Sequence, residues 1–100
     1  MHLHFIGSDT TKQVISEKLP DLNIHLVSQE NPKNALTIVD LTHLEKTGTP
    51  LENLAINLQN AIALHDENSC YSREELLYFY NFLDCVKPED DIRTVVMFYK

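Results

Sequence analysis

Polar and apolar residues alternate at the start of the chain, where His2-Leu3-His4-Phe5-Ile6 reads as a strand with Leu3 and Phe5 facing one way and two histidines the other. Gly7-Ser8-Asp9 breaks the pattern. A side-chain oxygen of Ser8 or Asp9 can cap a following helix by accepting from the amides of Thr10, Thr11 or Lys12. That helix carries Val14, Ile15 and Leu19 on one stripe and stops at Pro20. Residues 23–28 form a second apolar run, and 29–34 form a polar turn of loop-forming residues. Residues 35–41, Ala-Leu-Thr-Ile-Val-Asp-Leu, form a third: a short β-branched strand delivering a carboxylate, Asp40, at its end, which is how a buried parallel strand meets a functional loop.

After a loop over 42–48, Thr49-Pro50-Leu51-Glu52 has the form of a helix start, with Thr49 as cap, Pro50 first and Glu52 reaching back. Leu51, Leu54, Ala55, Leu58, Ala61 and Ile62 share one face, while Ile56 and Ala63 fall off it, so the pattern predicts a central helix ending near His65. Ser72-Arg73-Glu74-Glu75 repeats the capping logic and predicts a helix over 74–83. Leu76, Leu77, Tyr78, Phe79, Tyr80, Phe82 and Leu83 encircle it, with Asn81 the one polar interruption, so either the fold buries it or a partner or a second copy covers it. A charged turn over 88–91 leads to a final buried strand over 94–99. The expected architecture is one small α/β domain over residues 1–100, in the order β-α-β-β-α-α-β. Its sheet has about four strands, mostly parallel or mixed, covered by three helices. The six-residue link between the second and third strands fits a hairpin, which would make that pair antiparallel.

Composition narrows the function. A chain of 100 residues buries roughly 65% of its unfolded surface and folds without disulfides or a structural metal. Two glycines and no tryptophan argue against a glycine-lined nucleotide site, and no cofactor is expected. No apolar run nears the roughly 20 residues that span a bilayer, and Met1-His2-Leu3-His4 lacks the start of a signal peptide, so the cytoplasm is the expected compartment. Cys70 and Cys85 are too few for a disulfide framework and wrongly spaced for zinc; one core and one loop cysteine are expected. The net charge of −7 is uneven, with nine acids against four bases in residues 51–100 and six against four in residues 1–50. That balance disfavours nucleic acid and anionic membrane and favours a basic protein partner.

Asp9 and Asp40 each follow an expected strand, where parallel sheets place their ligand crevices, and two carboxylates there can hold a divalent cation or accept a phosphoryl group. Over residues 1 to about 60 this outline resembles a response-regulator receiver domain, whose acidic pocket sits at the same strand ends. A receiver has a pair of acids after its first strand where this chain has Ser8-Asp9, and a further helix where this chain has a turn; Lys100 would stand for its lysine after the last strand. Residues 39–44 with Gly48 and the leucine-rich stretch also resemble the strand-to-helix element of STAS regulatory domains, which implies a regulatory hydroxyl at Thr47 or Thr49. The simpler reading of Thr49, as a helix cap, is the favoured one.

His2 and His4, two apart on a strand, lack a third ligand for zinc and fit the solvent side of an edge strand. His65, Asp66 and Cys70 can be drawn as base, orienter and nucleophile, but they share one turn where catalysis needs a base held by packing. The strongest expectation is a non-enzymatic inhibitor, immunity or antitoxin-type protein that occludes a basic partner such as a nuclease. Glu74, Glu75, Asp84, Asp90 and Asp91 would steer that partner and Tyr78, Tyr80 and Phe82 would anchor it, with homodimerisation through 74–83 as a further expectation. The alternative is a receiver-like or STAS-like regulatory domain acting through Asp40.

Overall fold

Along each strand, successive side chains go to opposite faces of one sheet, and the two resulting sets form separate apolar layers. The computed structural model describes residues 2–26, 36–54, 58–65, 69–87 and 90–99. Five parallel strands, β1 (His2–Ile6), β2 (Asn23–Leu26), β3 (Thr37–Asp40), β4 (Ala61–Leu64) and β5 (Asp84–Val86), lie in the order β2-β1-β3-β4-β5. Leu3, Phe5, Ile38, Ile62, Leu64 and Val86 face helices α1 (Asp9–Lys18) and α3 (Ile92–Tyr99), which contribute Ile15, Ile92 and Val96. Ile6, Val39, Ala61, Ala63 and Cys85 face the other side, against Leu41 and Leu44 of α2 (Leu41–Thr47), Leu51, Leu54, Leu76 and Phe82. The α/β class and parallel sheet are as expected.

Individual elements differ from the pattern's expectation. β2 and β3 do not form a hairpin, because β1 lies between them and pairs in parallel with both. β1 is therefore an interior strand, and His4 is half-buried on it rather than on an exposed edge. The expected central helix after Pro50 is a single 3-10 turn over Leu51–Asn53; after a second turn over Leu58–Asn60 the run Ala-Ile-Ala-Leu is β4, buried at every position. A four-residue apolar run has no period long enough to separate helix from strand, and the vacancy beside β3 decides it.

The 74–83 helix is one π-helical turn, Glu75–Phe79, closed by Tyr80 N donating to Glu75 O at 2.9 Å. Its start is the expected capping box: Glu75 N donates to Ser72 Oγ (3.1 Å) and Ser72 N to Glu75 Oε1 (3.2 Å). Its end is Asn81, at φ 63°, after which Phe82 N donates to Leu76 O (2.9 Å) and the chain enters β5. The final segment is a helix, not a strand. Asp91 caps it, accepting from Thr94 N (3.3 Å) and Thr94 Oγ1 (2.6 Å), and Ile92 and Val96 lie one turn apart on its buried face. β-branched residues misled there because spacing, not propensity, sets the outcome of a packed helix.

Candidate functional site

β1 leads into α1 on one face of the sheet and β3 into α2 on the other, so the chain departs in opposite directions from two neighbouring strand tips. Strand orders of this kind leave a crevice at that switch point, beyond the carboxyl ends of the strands. Here the crevice has a volume of about 330 Å3. Ser8, Thr10, Thr11 and Lys18 line it from α1 and its cap; Asp40, Thr42, His43 and Lys46 line it from the β3–α2 junction. His65 follows β4 and Lys87 follows β5, while Val14, Ile15, Leu64 and Ile92 supply an apolar wall.

Asp40 is 5% exposed and is the N-cap of α2, its Oδ1 accepting from His43 N at a long 3.4 Å. Gly7 makes its close seat possible: a Cβ on Gly7 would stand 2.5 Å from Asp40 Cβ and 2.7 Å from Phe5 Cζ. Ser8 caps α1, accepting from Thr11 N (3.2 Å) while its hydroxyl donates to Thr11 Oγ1 (3.0 Å). His65 is 8% exposed, and its amide donates to Val86 O (2.9 Å).

The expected pair of carboxylates is not assembled. Asp9 is exposed in the first turn of α1 and does not line the crevice, leaving Asp40 as its one carboxylate among the described residues. No group of three His, Cys, Asp or Glu side chains suited to a metal exists among those residues either. A hard divalent cation takes several oxygen ligands, and the described residues of this crevice supply one carboxylate toward the metal that a receiver's acidic pocket implies. Lys100 lies outside the described residues, and Lys87, which follows β5, lines the crevice.

The residues expected to form a docking patch are divided. Tyr78 (79% exposed), Phe79 (72%), Glu74 and Glu75 are on the surface. Phe82 (4%) is in the core and presents no ring to a partner. Tyr80 is half-buried: its hydroxyl donates to Glu52 Oε1 (2.9 Å), a bond that pushes its pKa up to about 12, and its ring meets Tyr71 edge-on at 5.5 Å. Asp84 accepts from Cys85 N (2.8 Å) and the Tyr99 hydroxyl (3.0 Å), and Asp90 accepts from Lys87 N (3.0 Å). These carboxylates and that of Asp91 hold local structure first.

His65 and Cys70 do not form a catalytic pair. Cys70 is exposed, lies outside the crevice, and its thiol pKa is raised by its hydrogen bond to Glu45, which opposes the thiolate that nucleophilic chemistry needs. Asp66 lies outside the described residues. Thr47 and Thr49 bond each other (3.1 Å) at the end of α2, away from the crevice. Among the described residues, no helix is long and apolar enough to cross a membrane. Compared with protein-family models, curated proteins and solved structures, the chain matches none.

Proposed function

We propose that the chain is a non-enzymatic, receiver-like regulatory domain whose state is set by what occupies the crevice around Asp40. One observation carries this reading: Asp40, His65 and Lys87, at the tips of the adjacent strands β3, β4 and β5, line one crevice with the cap of α1. A carboxylate after the third strand and a lysine after the last are the receiver features this chain keeps; the second acid after the first strand is the one it lacks. With no group of metal ligands among the described residues, the domain is read by occupancy and not by phosphoryl transfer to Asp40.

Asp40 also supplies the coupling. Because its carboxylate is the cap of α2, an occupant that draws on it loosens that helix start. Further along α2, Glu45 Oε1 accepts from Ser69 Oγ (3.0 Å) and Cys70 N (2.9 Å), and Tyr71 beyond them packs on Tyr80 at the end of the exposed π turn. The output surface is then Tyr78 and Phe79 with Glu74 and Glu75, an acidic aromatic patch suited to a basic protein partner.

Amide spectra of Asp40→Asn test the reading. Resonances of residues 69–71 and 75–80 are expected to shift; changes confined to residues 7–8 and 41–43 would overturn the coupling. Incubation with magnesium and a small phosphodonor is expected to leave the mass unchanged, whereas a gain abolished by Asp40→Asn would replace this reading with a phosphoacceptor.

A further inference from the structure

The π turn over Glu75–Phe79 leaves two neighbouring rings in solvent. Leu76 and Phe82 go to the core, while Tyr78 and Phe79 stay 79% and 72% exposed. Adjacent exposed rings rimmed by polar residues mark interaction surfaces. Phe79 is also held in place: its ring meets Tyr80 edge-on at 4.9 Å, Tyr80 meets Tyr71 at 5.5 Å, and the Tyr80 hydroxyl is anchored on Glu52. A braced ring loses little freedom when something covers it.

Charge decides what covers it. Over residues 51–86 the sequence has six acids, Glu52, Asp66, Glu67, Glu74, Glu75 and Asp84, against one base, Arg73. That base is directed to β5, its guanidinium donating to Cys85 O at 3.4 Å. Glu52 and Glu75 both push the Tyr80 phenol up, so both carboxylates lie close to the rings. Each spends one oxygen, Glu52 on the Tyr80 hydroxyl and Glu75 on the Ser72 amide, and has a second to offer a donor from outside. No ion pair among the described residues neutralises Glu52, Glu74 or Glu75. A purely apolar partner would cover the rings but strip water from these carboxylates without return. A guanidinium answers both needs, since it is weakly hydrated, stacks on an aromatic face and presents several N–H donors to carboxylates.

We infer that Phe79, with Glu52 and Glu75 near it, receives an arginine side chain from an exposed segment of the basic partner, the guanidinium lying on the Phe79 ring and its N–H groups donating to the carboxylates. The inference rests on reading this patch as the domain's output surface, and adds the group that it recognises.

The test is a titration of the full chain, followed by amide NMR at fixed ionic strength, with the blocked peptide Gly-Arg-Gly-Arg-Gly in one arm and Gly-Lys-Gly-Lys-Gly in the other. Saturable shifts at residues 52 and 74–80 are expected with the arginine peptide, at an affinity several-fold above that of the lysine peptide. Phe79→Leu keeps an apolar side chain but removes the ring, and should weaken arginine binding by about fivefold, the upper span of a cation–π contact at an exposed site. Glu52→Gln should weaken it as well, although its amide oxygen can still accept from Tyr80. Phe98→Leu removes a comparably exposed ring from α3, on the opposite face of the sheet, and should bind as the parent does. Equal affinity for the two peptides, binding indifferent to Phe79, or no saturation with the arginine peptide would overturn the inference. Its failure is distinct from failure of the regulatory reading: arginine binding with Asp40→Asn changes confined to the crevice sinks only the latter, and propagating changes without arginine binding sink only the former.

Discussion

Asp40 sits where it does because Gly7 has no side chain. Any β-carbon there would overlap both the Asp40 Cβ and the ring of Phe5, and neither a Cβ fixed to its backbone nor a packed ring can yield cheaply. Gly7→Ala is expected to cost about 1–3 kcal/mol in denaturant unfolding, the range for overpacking, and to displace the amide signals of residues 40–43. Tyr80 supplies a second test at this scale. Its phenol is held up to about 12 by the Glu52 carboxylate, so the bond's contribution is complete below the ordinary tyrosine range of about 10 and is lost as pH rises through 12. In an absorbance titration Glu52→Ala should return this phenol toward 10. Ser8 and Ser72 were legible in the sequence as caps because capping is local, a side chain bonding an amide two or three positions away, whereas Asp40 caps a helix, α2, where the pattern predicts a loop over 42–48. Lys87 and His65 were not legible, since each takes its meaning from the strand before it: the run before His65 reads as a helix, and the three residues before Lys87 are too short a run to assign from pattern at all.

Elements that end at a single residue show where pattern reading stops. The ring-rich stretch from Leu76 to Leu83 has no periodic signal for its break, and only the left-handed backbone at Asn81 turns it from helix toward β5. Asn81→Val should destabilise the fold by about 1–2 kcal/mol, the cost of a left-handed residue without an asparagine's tolerance, and Asn81→Gly should be near neutral. The same break assigns the rings. Phe82→Ala is expected to cost about 3–5 kcal/mol as a core truncation, whereas Tyr78→Ala should stay within about 0.5 kcal/mol; comparable values for the two would contradict their burial. At Glu45, partial burial pushes the carboxyl up, and bonds from the Cys70 amide and thiol and the Ser69 hydroxyl outweigh it, leaving the pKa lowered. That clip therefore holds above the ordinary carboxylate range and releases residues 69–71 as pH falls through the lowered pKa, which amide exchange of those residues will report.

For the whole molecule, the class and the parallel sheet followed from alternation and crossover length, but the strand count and the exchange of helix for strand at both 61–64 and 92–99 did not. A sheet is completed by neighbours distant in sequence, and its vacancies override local preference. Its stability should be graded accordingly. β3 and β4 are buried throughout and flanked on both sides, so their amides should exchange slowest, ahead of β2 and β5 at the margins. The aliphatic layers and the bidentate Arg93–Asp21 pair, which ties α3 to the turn before β2, hold the face opposite α2. The rim formed by β5 has its own significance: that strand runs only three residues, so it offers few unpaired peptide groups to a passing chain. On that side a foreign strand finds almost no template to lengthen the sheet, although the rim is not closed into a barrel.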